Sequence, residues 1–349
     1  MGFENNFDII KIFVLTTIAF IVAILWTPLL THFLYKFKIG KKIRSAEEAP
    51  VYSKMHSWKS GTPTMGGILI WLTTLFIALL FFVLRDVVDN VNIRSLNFLT
   101  RPETLLPLGA LIASALVGLL DDFLNIRSAG ISGGGLRIRY KLIMYTAIAI
   151  FGAYWFYFKL DWTTLHVPFF GNFDIGFWYI PFFIFIIVAT AFSVNEIDGL
   201  DGLAGGTLFA AFAAYGAIAF AQGKIELTAF CGVIIGALLA FLWFNINPAR
   251  FFMGDAGSMS LGVTLGIVAM LTNSALLLPI ICLPLVIVSL SVIIQMVARK
   301  VFKKKVFLSA PIHHHLEAKG WPEPKIVMRF WIIAGVTAVL GVIMFLIDK

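Results

Sequence analysis

An all-α integral membrane protein with about ten transmembrane helices is what this sequence predicts, and three observations carry that expectation. Hydrophobic residues make up 60% of the chain and charged residues only 13%, with a mean hydropathy of +0.92. Soluble domains carry about 25% charged residues, so this chain has too little polar surface to coat a water-soluble globule. Apolar stretches of about 20 residues, the length that crosses a hydrocarbon core, recur from end to end. The basic residues gather on alternate connecting segments, the asymmetry that orients membrane proteins.

The apolar stretches fall at about 9–34, 66–84, 104–120, 142–158, 177–194, 205–221, 227–244, 259–272, 275–298 and 328–347. The first runs too long for a cleavable leader, and no small-residue cleavage site follows it. The eighth and ninth are separated only by the polar turn at 271–274. No repeat or linker divides the chain, so residues 1–349 are expected to form a single polytopic membrane domain.

Segments 35–65, 121–141, 195–204, 245–258 and 299–327 hold 19 of the 27 Lys and Arg, and the opposite side, termini included, holds 7. Acidic residues divide 10 to 9, so the bias follows positive charge and not general polarity. The five segments are therefore expected in the cytoplasm and both termini outside. The net charge of +8 belongs to topology, and no nucleic acid partner is expected. Cys231 and Cys282 lie far apart inside apolar runs and read as buried structural thiols.

The outer segments look like ordinary turns, with aromatics suited to an interfacial belt. Each inner segment instead holds polar residues and glycines, as if five loops formed one composite active site. The first ends Lys59-Ser60-Gly61-Thr62-Pro63-Thr64-Met65-Gly66-Gly67. Such a loop can bring backbone N–H groups, a point charge and hydroxyls to an anion, and it can equally serve to break and re-enter a helix. The second opens with Asp121-Asp122 straight after an apolar run. Adjacent acids at a membrane boundary are costly unless paired, hydrated or bound to metal, and like charges in contact suit a group that accepts a proton near neutral pH. Behind them a glycine-rich stretch, 128–135, precedes Leu136-Arg137-Ile138-Arg139, which alternates like a short strand.

The third inner segment carries Asn195, Glu196, Asp198 and Asp201 without one Lys or Arg. A divalent cation or a cationic partner loop would account for that strip. In the fourth, which opens at Asn245, Asp255 stands between Gly254 and Ala256-Gly257, where little bulk keeps its oxygens from a hard cation such as Mg²⁺. Phe251 and Phe252 offer faces on which a base could stack. The fifth holds the triplet His313-His314-His315 ahead of Glu317, behind Lys303-Lys304-Lys305. Three consecutive side chains rarely converge on one ion, so imidazoles that donate to phosphate oxygens fit better than zinc.

Taken together, KSGTPTMGG at 59–67, DD at 121–122, NEIDGLDGLAGG at 195–206, NPARFFMGDAGS at 247–258 and PIHHHLEAKG at 311–320 resemble the polyprenyl-phosphate N-acetylhexosamine-1-phosphate transferase superfamily. The resemblance spans the whole chain and is strongest to its phospho-N-acetylmuramoyl-pentapeptide transferase branch. It implies ten transmembrane helices in the bacterial inner membrane with the site facing the cytoplasm. It also implies transfer of phospho-N-acetylmuramoyl-pentapeptide from a UDP-linked donor to undecaprenyl phosphate, giving lipid I and UMP with Mg²⁺, a membrane step of peptidoglycan synthesis. By motif match Asp255 would be the magnesium ligand, Asp121, with Asp122 beside it, would activate the acceptor phosphate, and Lys59 would contact phosphate. His313, His314 and His315 would line the site and Phe252 would lie under uracil. Thr64, Asn195, Asp198, Asp201 and Asn245 complete the expected substrate-binding set. Membrane lipid surrounds the chain, and a homodimer is the assembly this reading allows.

Phosphoryl transfer needs positioning and charge neutralisation more than covalent help, and a phosphate monoester, with a second pKa of about 6, is already largely ionised at neutral pH. Direct attack by the lipid phosphate and a phospho-enzyme through an aspartate both remain open at the level of sequence. A sister transferase that uses UDP-N-acetylglucosamine is separated mainly by the histidine motif. A transporter would place ionisable groups near the bilayer midplane, whereas the acids here lie at one interface. In a cysteine-free background, single cysteines placed in 299–310 are expected to react with a membrane-impermeant thiol reagent only from the cytoplasmic side. Labelling from outside would overturn the map.

Overall fold

In a lipid interior every backbone polar group must be satisfied within the protein, which leaves helices as the way for these apolar stretches to cross. The computed structural model describes residues 3–37, 56, 59–100, 103–127, 136 and 138–348. The basic stretch at 38–55, the glycine-rich 128–135 and Arg137 lie outside the described residues. Nine helices among the described residues are long and apolar enough to span a membrane. They are α1 (Phe3–Lys36), α2 (Ile68–Val87), α3 (Leu105–Ile126), α4 (Ile138–Lys159), α5 (Tyr179–Ile197), α6 (Leu203–Ala221), α7 (Ile225–Asn245), α9 (Leu283–Val301) and α11 (Glu323–Ile347). A tenth apolar helix, α8 (Asp255–Leu271), has 17 residues. A seven-residue helix, α10 (Ile312–Ala318), carries the histidine triplet. The chain is thus an all-α, multi-pass membrane protein.

Two expectations need correction. The ninth stretch is not one helix from 275. It opens with a 3₁₀ turn at Ala275–Leu277 and a short helix at Leu278–Ile281, and α9 begins only after Cys282. A proline stands in the first turn of each piece, where its missing N–H is harmless, although a proline further inside would break the ladder. The four residues read as an alternating strand also fail, because Ile138 and Arg139 already belong to α4. There Arg139 lies over the Tyr140 ring, 4.7 Å from its centroid. The only sheet among the described residues is a hairpin, β1 (Thr164–Val167) against β2 (Gly171–Asp174), at the end opposite the motif loops. The hairpin and the following turn expose Phe169, Phe170, Phe173, Phe177 and Trp178, as an interfacial aromatic belt requires.

Helix α8 is the centre of the bundle. Every residue from Ala256 to Leu271 is buried, and α3 and α5 are its closest neighbours. Lipid offers no hydrophobic contrast between helices, so close approach depends on small residues. A Cβ on Gly262 would stand 2.7 Å from Ala191 Cα of α5, and one on Gly266 2.6 Å from Thr190 Oγ1. The same device joins α7 to α1, where a Cβ on Gly232 would meet Thr16 Oγ1 at 2.6 Å. Around this centre α1 and α11 turn Phe13, Leu25, Leu29, Ile332 and Val339 outward. The N-terminus of α8 carries Asp255 into the middle of the motif loops, so the packing of this one helix sets the height and position of that carboxylate.

Gly262→Leu should push α8 off α5, at a cost on the order of 1–3 kcal/mol for overpacking. It should lower the thermal unfolding midpoint of the detergent-purified protein. Gly109→Leu, where a Cβ meets nothing within 4 Å, should leave that midpoint unchanged; equal effects would refute the packing argument.

Candidate active site

Four helix ends converge on one lysine. Asp121 and Asp122 close the apolar run of α3 and are buried at 1% and 3% exposure. Lys141 enters from the first turn of α4, Asn195 from the last turn of α5, and Asp255 from the first residue of α8. Lys141 Nζ lies 2.7 Å from Asp121 Oδ2 and 2.7 Å from Asp255 Oδ2. The Asn195 amide donates to the other Asp255 oxygen and, at 3.0 Å, to Ser258 Oγ. The adjacent acids divide their work. Asp121 Oδ1 accepts the Leu136 N–H at 2.6 Å. Asp122 Oδ2 accepts the Ala256 N–H at 3.0 Å, so Asp122 caps the N-terminus of α8, where a carboxylate is favoured. Thr64 Oγ1 lies 3.5 Å from Asp122 Oδ1, and Asp198 Oδ2 accepts the Gly254 N–H at 3.2 Å.

Among the described residues, the carboxylates of Asp121, Asp122, Asp198 and Asp255 gather around the Lys141 ammonium. Lys141 thus pairs the second segment with the fourth, whereas the acidic strip of the third segment meets its cationic partner at Asp201, in Lys59 from the first loop. Hard, clustered oxygens with an amide beside them suit Mg²⁺, and the Asp255 side chain keeps 12% of its surface open. Asp255 and Asp121, which share the Lys141 ammonium, are the residues that would hold such an ion.

A second network surrounds Lys59. Its Nζ lies 2.6 Å from Asp201 Oδ1 and 2.6 Å from Glu323 Oε1, so the predicted phosphate contact is held between two carboxylates. Glu323, in the first turn of α11, also accepts the Asp201 N–H at 2.7 Å. Asn247 donates to Asp201 Oδ2 at 3.0 Å and to Glu323 Oε2 at 3.3 Å. Asn245 brackets two loops, accepting from Gly202 N at 2.9 Å and donating to Phe251 O at 2.8 Å. The first and fourth loops pair through their backbones: Phe252 N donates to Pro63 O, Gly66 N to Phe252 O and Gly67 N to Met253 O, each at 2.8 Å. Of the two phenylalanines, Phe251 is core, packed on Phe241 and Phe244. Phe252 remains partly exposed, with the Lys59 ammonium 5.8 Å from its ring centroid.

The histidine triplet splits. His313 is fully buried, and neither ring nitrogen has a hydrogen-bond partner among the described residues. Burial first, then the neighbouring His314 and His56, push its pKa well below the usual imidazole value. His314 Nδ1 lies 2.6 Å from Glu317 Oε2, and His56 Nε2 lies 3.2 Å from the same oxygen. Burial would raise the Glu317 carboxyl, but its hydrogen bonds to His314 and His56, with their charge, outweigh that and hold it at about 2. A Cβ at Gly199 would overlap His313 Nε2 and stand 3.0 Å from His314 Nε2, so both rings rest on the third loop only because that residue is glycine. His315 turns away, accepting the Leu308 N–H at 3.1 Å and meeting the Phe307 ring edge-on.

The structure thus groups Thr64, Asp121, Asp122, Asn195, Asp198 and Asp255 in one cluster, Lys59, Asp201, Asn245 and Phe252 in a second, and His313 and His314 against the third loop. His315 stands apart. Sequence reasoning passed over Lys141, Glu323, Asn247, His56 and the part played by Glu317. Lys141 read as one more topogenic charge, although a strip of buried acids calls for a cation from another loop. Glu323, an acid in the first turn of an apolar helix, carried the same kind of signal.

A family model for glycosyl transferase family 4 matches residues 104–273, and the phospho-N-acetylmuramoyl-pentapeptide-transferase signature 1 matches residues 59–70. The chain is similar to the phospho-N-acetylmuramoyl-pentapeptide-transferase of Chloroflexus aggregans, 37% identical over 97% of this chain and 91% of that protein. It is similar to that of Geobacillus sp. strain WCH70, 40% identical over 93% of this chain and 95% of the relative. It also resembles that of Desulfosudis oleivorans, 38% identical over 93% and 89%.

Lys141→Met should leave Asp121 and Asp255 without their shared counter-charge, at a cost on the order of 3 kcal/mol for a broken buried pair. Thermal unfolding without divalent cations should show the loss, and millimolar Mg²⁺ should recover part of it. An unchanged midpoint would remove Lys141 from this role.

Proposed function

The chain belongs to the phospho-N-acetylmuramoyl-pentapeptide-transferase family, and on that premise we propose that it transfers phospho-N-acetylmuramoyl-pentapeptide from its UDP-linked donor to undecaprenyl phosphate, giving lipid I and UMP. The observation that supports this reading best is the convergence of Asp121, Lys141, Asn195 and Asp255 from four helix ends, beside a loop that matches the family signature. The enzyme is a multi-pass membrane phosphosugar transferase. The charge split supports placing it in the bacterial inner membrane with the motif loops toward the cytoplasm, where nucleotide-linked donors are made.

The proposed chemistry is an in-line displacement. An oxygen of the lipid phosphate attacks the sugar-linked phosphorus, a new P–O bond forms, the bond to the α-phosphate breaks, and UMP leaves with the electron pair. Asp255 would hold Mg²⁺, with Asn195 fixing the carboxylate and Asp121 at hand; the ion supplies charge neutralisation at the diphosphate and the leaving group. Lys141 sets the spacing of the two carboxylates. Asp122 fixes the N-terminus of α8, so Asp255 does not drift. Lys59, beside the partly exposed Phe252 ring, suits the nucleotide end of the donor, and His313 and His314 border the third loop. Each carboxylate of the cluster is engaged by fixed donors, which supports direct attack over an aspartyl nucleophile.

Purified protein incubated with labelled UDP-linked donors, undecaprenyl phosphate and Mg²⁺ should move label into the lipid phase and release UMP only when the acceptor is present. Preference for UDP-N-acetylglucosamine would replace this reading by that of the sister enzyme. UMP released stoichiometrically without acceptor would overturn direct attack. Asp255→Asn should fold and lose activity by orders of magnitude, as removal of charge stabilisation at a transferring phosphoryl group costs about 100- to 1,000-fold or more.

A further inference from the structure

Glu317 belongs to neither charged network, yet it is the most strongly engaged group of the fifth loop. It is 5% exposed, and its Oε2 meets His314 Nδ1 at 2.6 Å and His56 Nε2 at 3.2 Å. His314 and Glu317 stand three apart on α10, one face of one turn, so their contact is local. His56 arrives from the segment ahead of the first motif, and its ring meets that of His314 edge to face at 5.7 Å. An ionised carboxylate only accepts, so the ring nitrogens that face it must carry hydrogen. For His314 this fixes Nδ1–H and turns Nε2 to the opposite side. That side is the Gly199 turn, which follows Asp198, the residue whose carboxylate holds Gly254 beside Asp255.

We propose that Glu317 is a positioning residue of the transferase: it fixes the tautomer and ring orientation of His314 so that Nε2 faces the substrate at the 198–199 turn, and it tethers His56 to the same loop. This rests on reading the fifth loop as part of the transferase site. The same three side chains place ligand atoms within 4.8 Å of one another, a donor set that zinc also uses. The geometry favours hydrogen bonding. One oxygen touches both nitrogens, and 2.6 Å is the length of a strong charge-assisted bond. Two ligands about 2.0 Å from a tetrahedral zinc would stand about 3.3 Å apart.

The chain has six histidines, so the full-length protein labelled with ¹⁵N-histidine gives a readable proton–nitrogen spectrum, with His314 assigned through His314→Gln. In the wild type His314 should carry its hydrogen on Nδ1, and in Glu317→Gln that tautomer should no longer be the sole one. With labelled UDP-linked donor and undecaprenyl phosphate, Glu317→Gln should lower kcat by about 10- to 100-fold, a share of the roughly 100- to 10,000-fold that a positioned acid or base supplies. The donor KM should stay within about threefold, as for an interaction made in the transition state, and Glu317→Asp should recover part of the rate. An Nε2–H tautomer at His314 in the wild type overturns the proposal, whether or not the variants fold. Unchanged kcat in Glu317→Gln overturns it too, as does one equivalent of zinc by elemental analysis that this variant loses and whose chelation reproduces the loss. Failure of the wild type to label lipid from any donor would sink the transferase reading instead, and the tautomer measurement would still decide the assignment.

Discussion

The ammonium of Lys141, shared between Asp121 and Asp255, meets a constraint that runs through the whole motif-loop end of the bundle. Carboxylates at the ends of apolar helices lose most of their hydration and persist only with a partner. The chain solves this by crossing loops rather than within any one of them. The acids of the second and fourth segments are balanced by a lysine at the head of α4. The acids of the third segment and of α11 are balanced by Lys59 from the first. Removing one loop would strand charge in another, so the five segments are bound to a single arrangement.

Backbone pairing reinforces the same arrangement. The first and fourth loops run alongside each other through three N–H···O bonds, and Asn245 clips the third to the fourth. Glycines allow the approach. At Gly254, φ is +72° and a Cβ would lie 2.6 Å from both Asp122 Oδ2 and Thr64 Oγ1. At the polar end, as between the helices, close approach depends on a residue without a side chain.

Most of this fold was legible because spans are long, local and uniform: ten apolar stretches needed only length and hydropathy. The break before α9 was not, because two prolines inside an apolar run change nothing in hydropathy while they end hydrogen-bond ladders. At the site, Asp121, Asp122 and Asp255 stood out as acids against lipid-like sequence. Lys141 did not, since a lysine at a helix edge has an ordinary topogenic explanation. Phe251 and Phe252 are equivalent in one dimension and divided in three, one in the core and one beside Lys59. The histidine triplet likewise divides, His313 and His314 against the third loop and His315 away from it, because consecutive residues on a helix lie about 100° apart.

The length of α8 bears on where an acceptor must sit. Its 17 residues rise about 25 Å, some 5 Å short of a hydrocarbon core about 30 Å thick. Its C-terminal end is tied to its neighbours, where Lys224 Nζ donates to Leu271 O and Tyr215 donates to Ser274 O. Counted from that anchored end, the helix brings Asp255 about 5 Å short of a full span. A phosphate carried on a long hydrocarbon tail reaches that depth by sliding sideways through the leaflet, while a water-soluble phosphate would have to leave solvent and descend. Depth itself then discriminates between acceptors, before any side chain reads what they are.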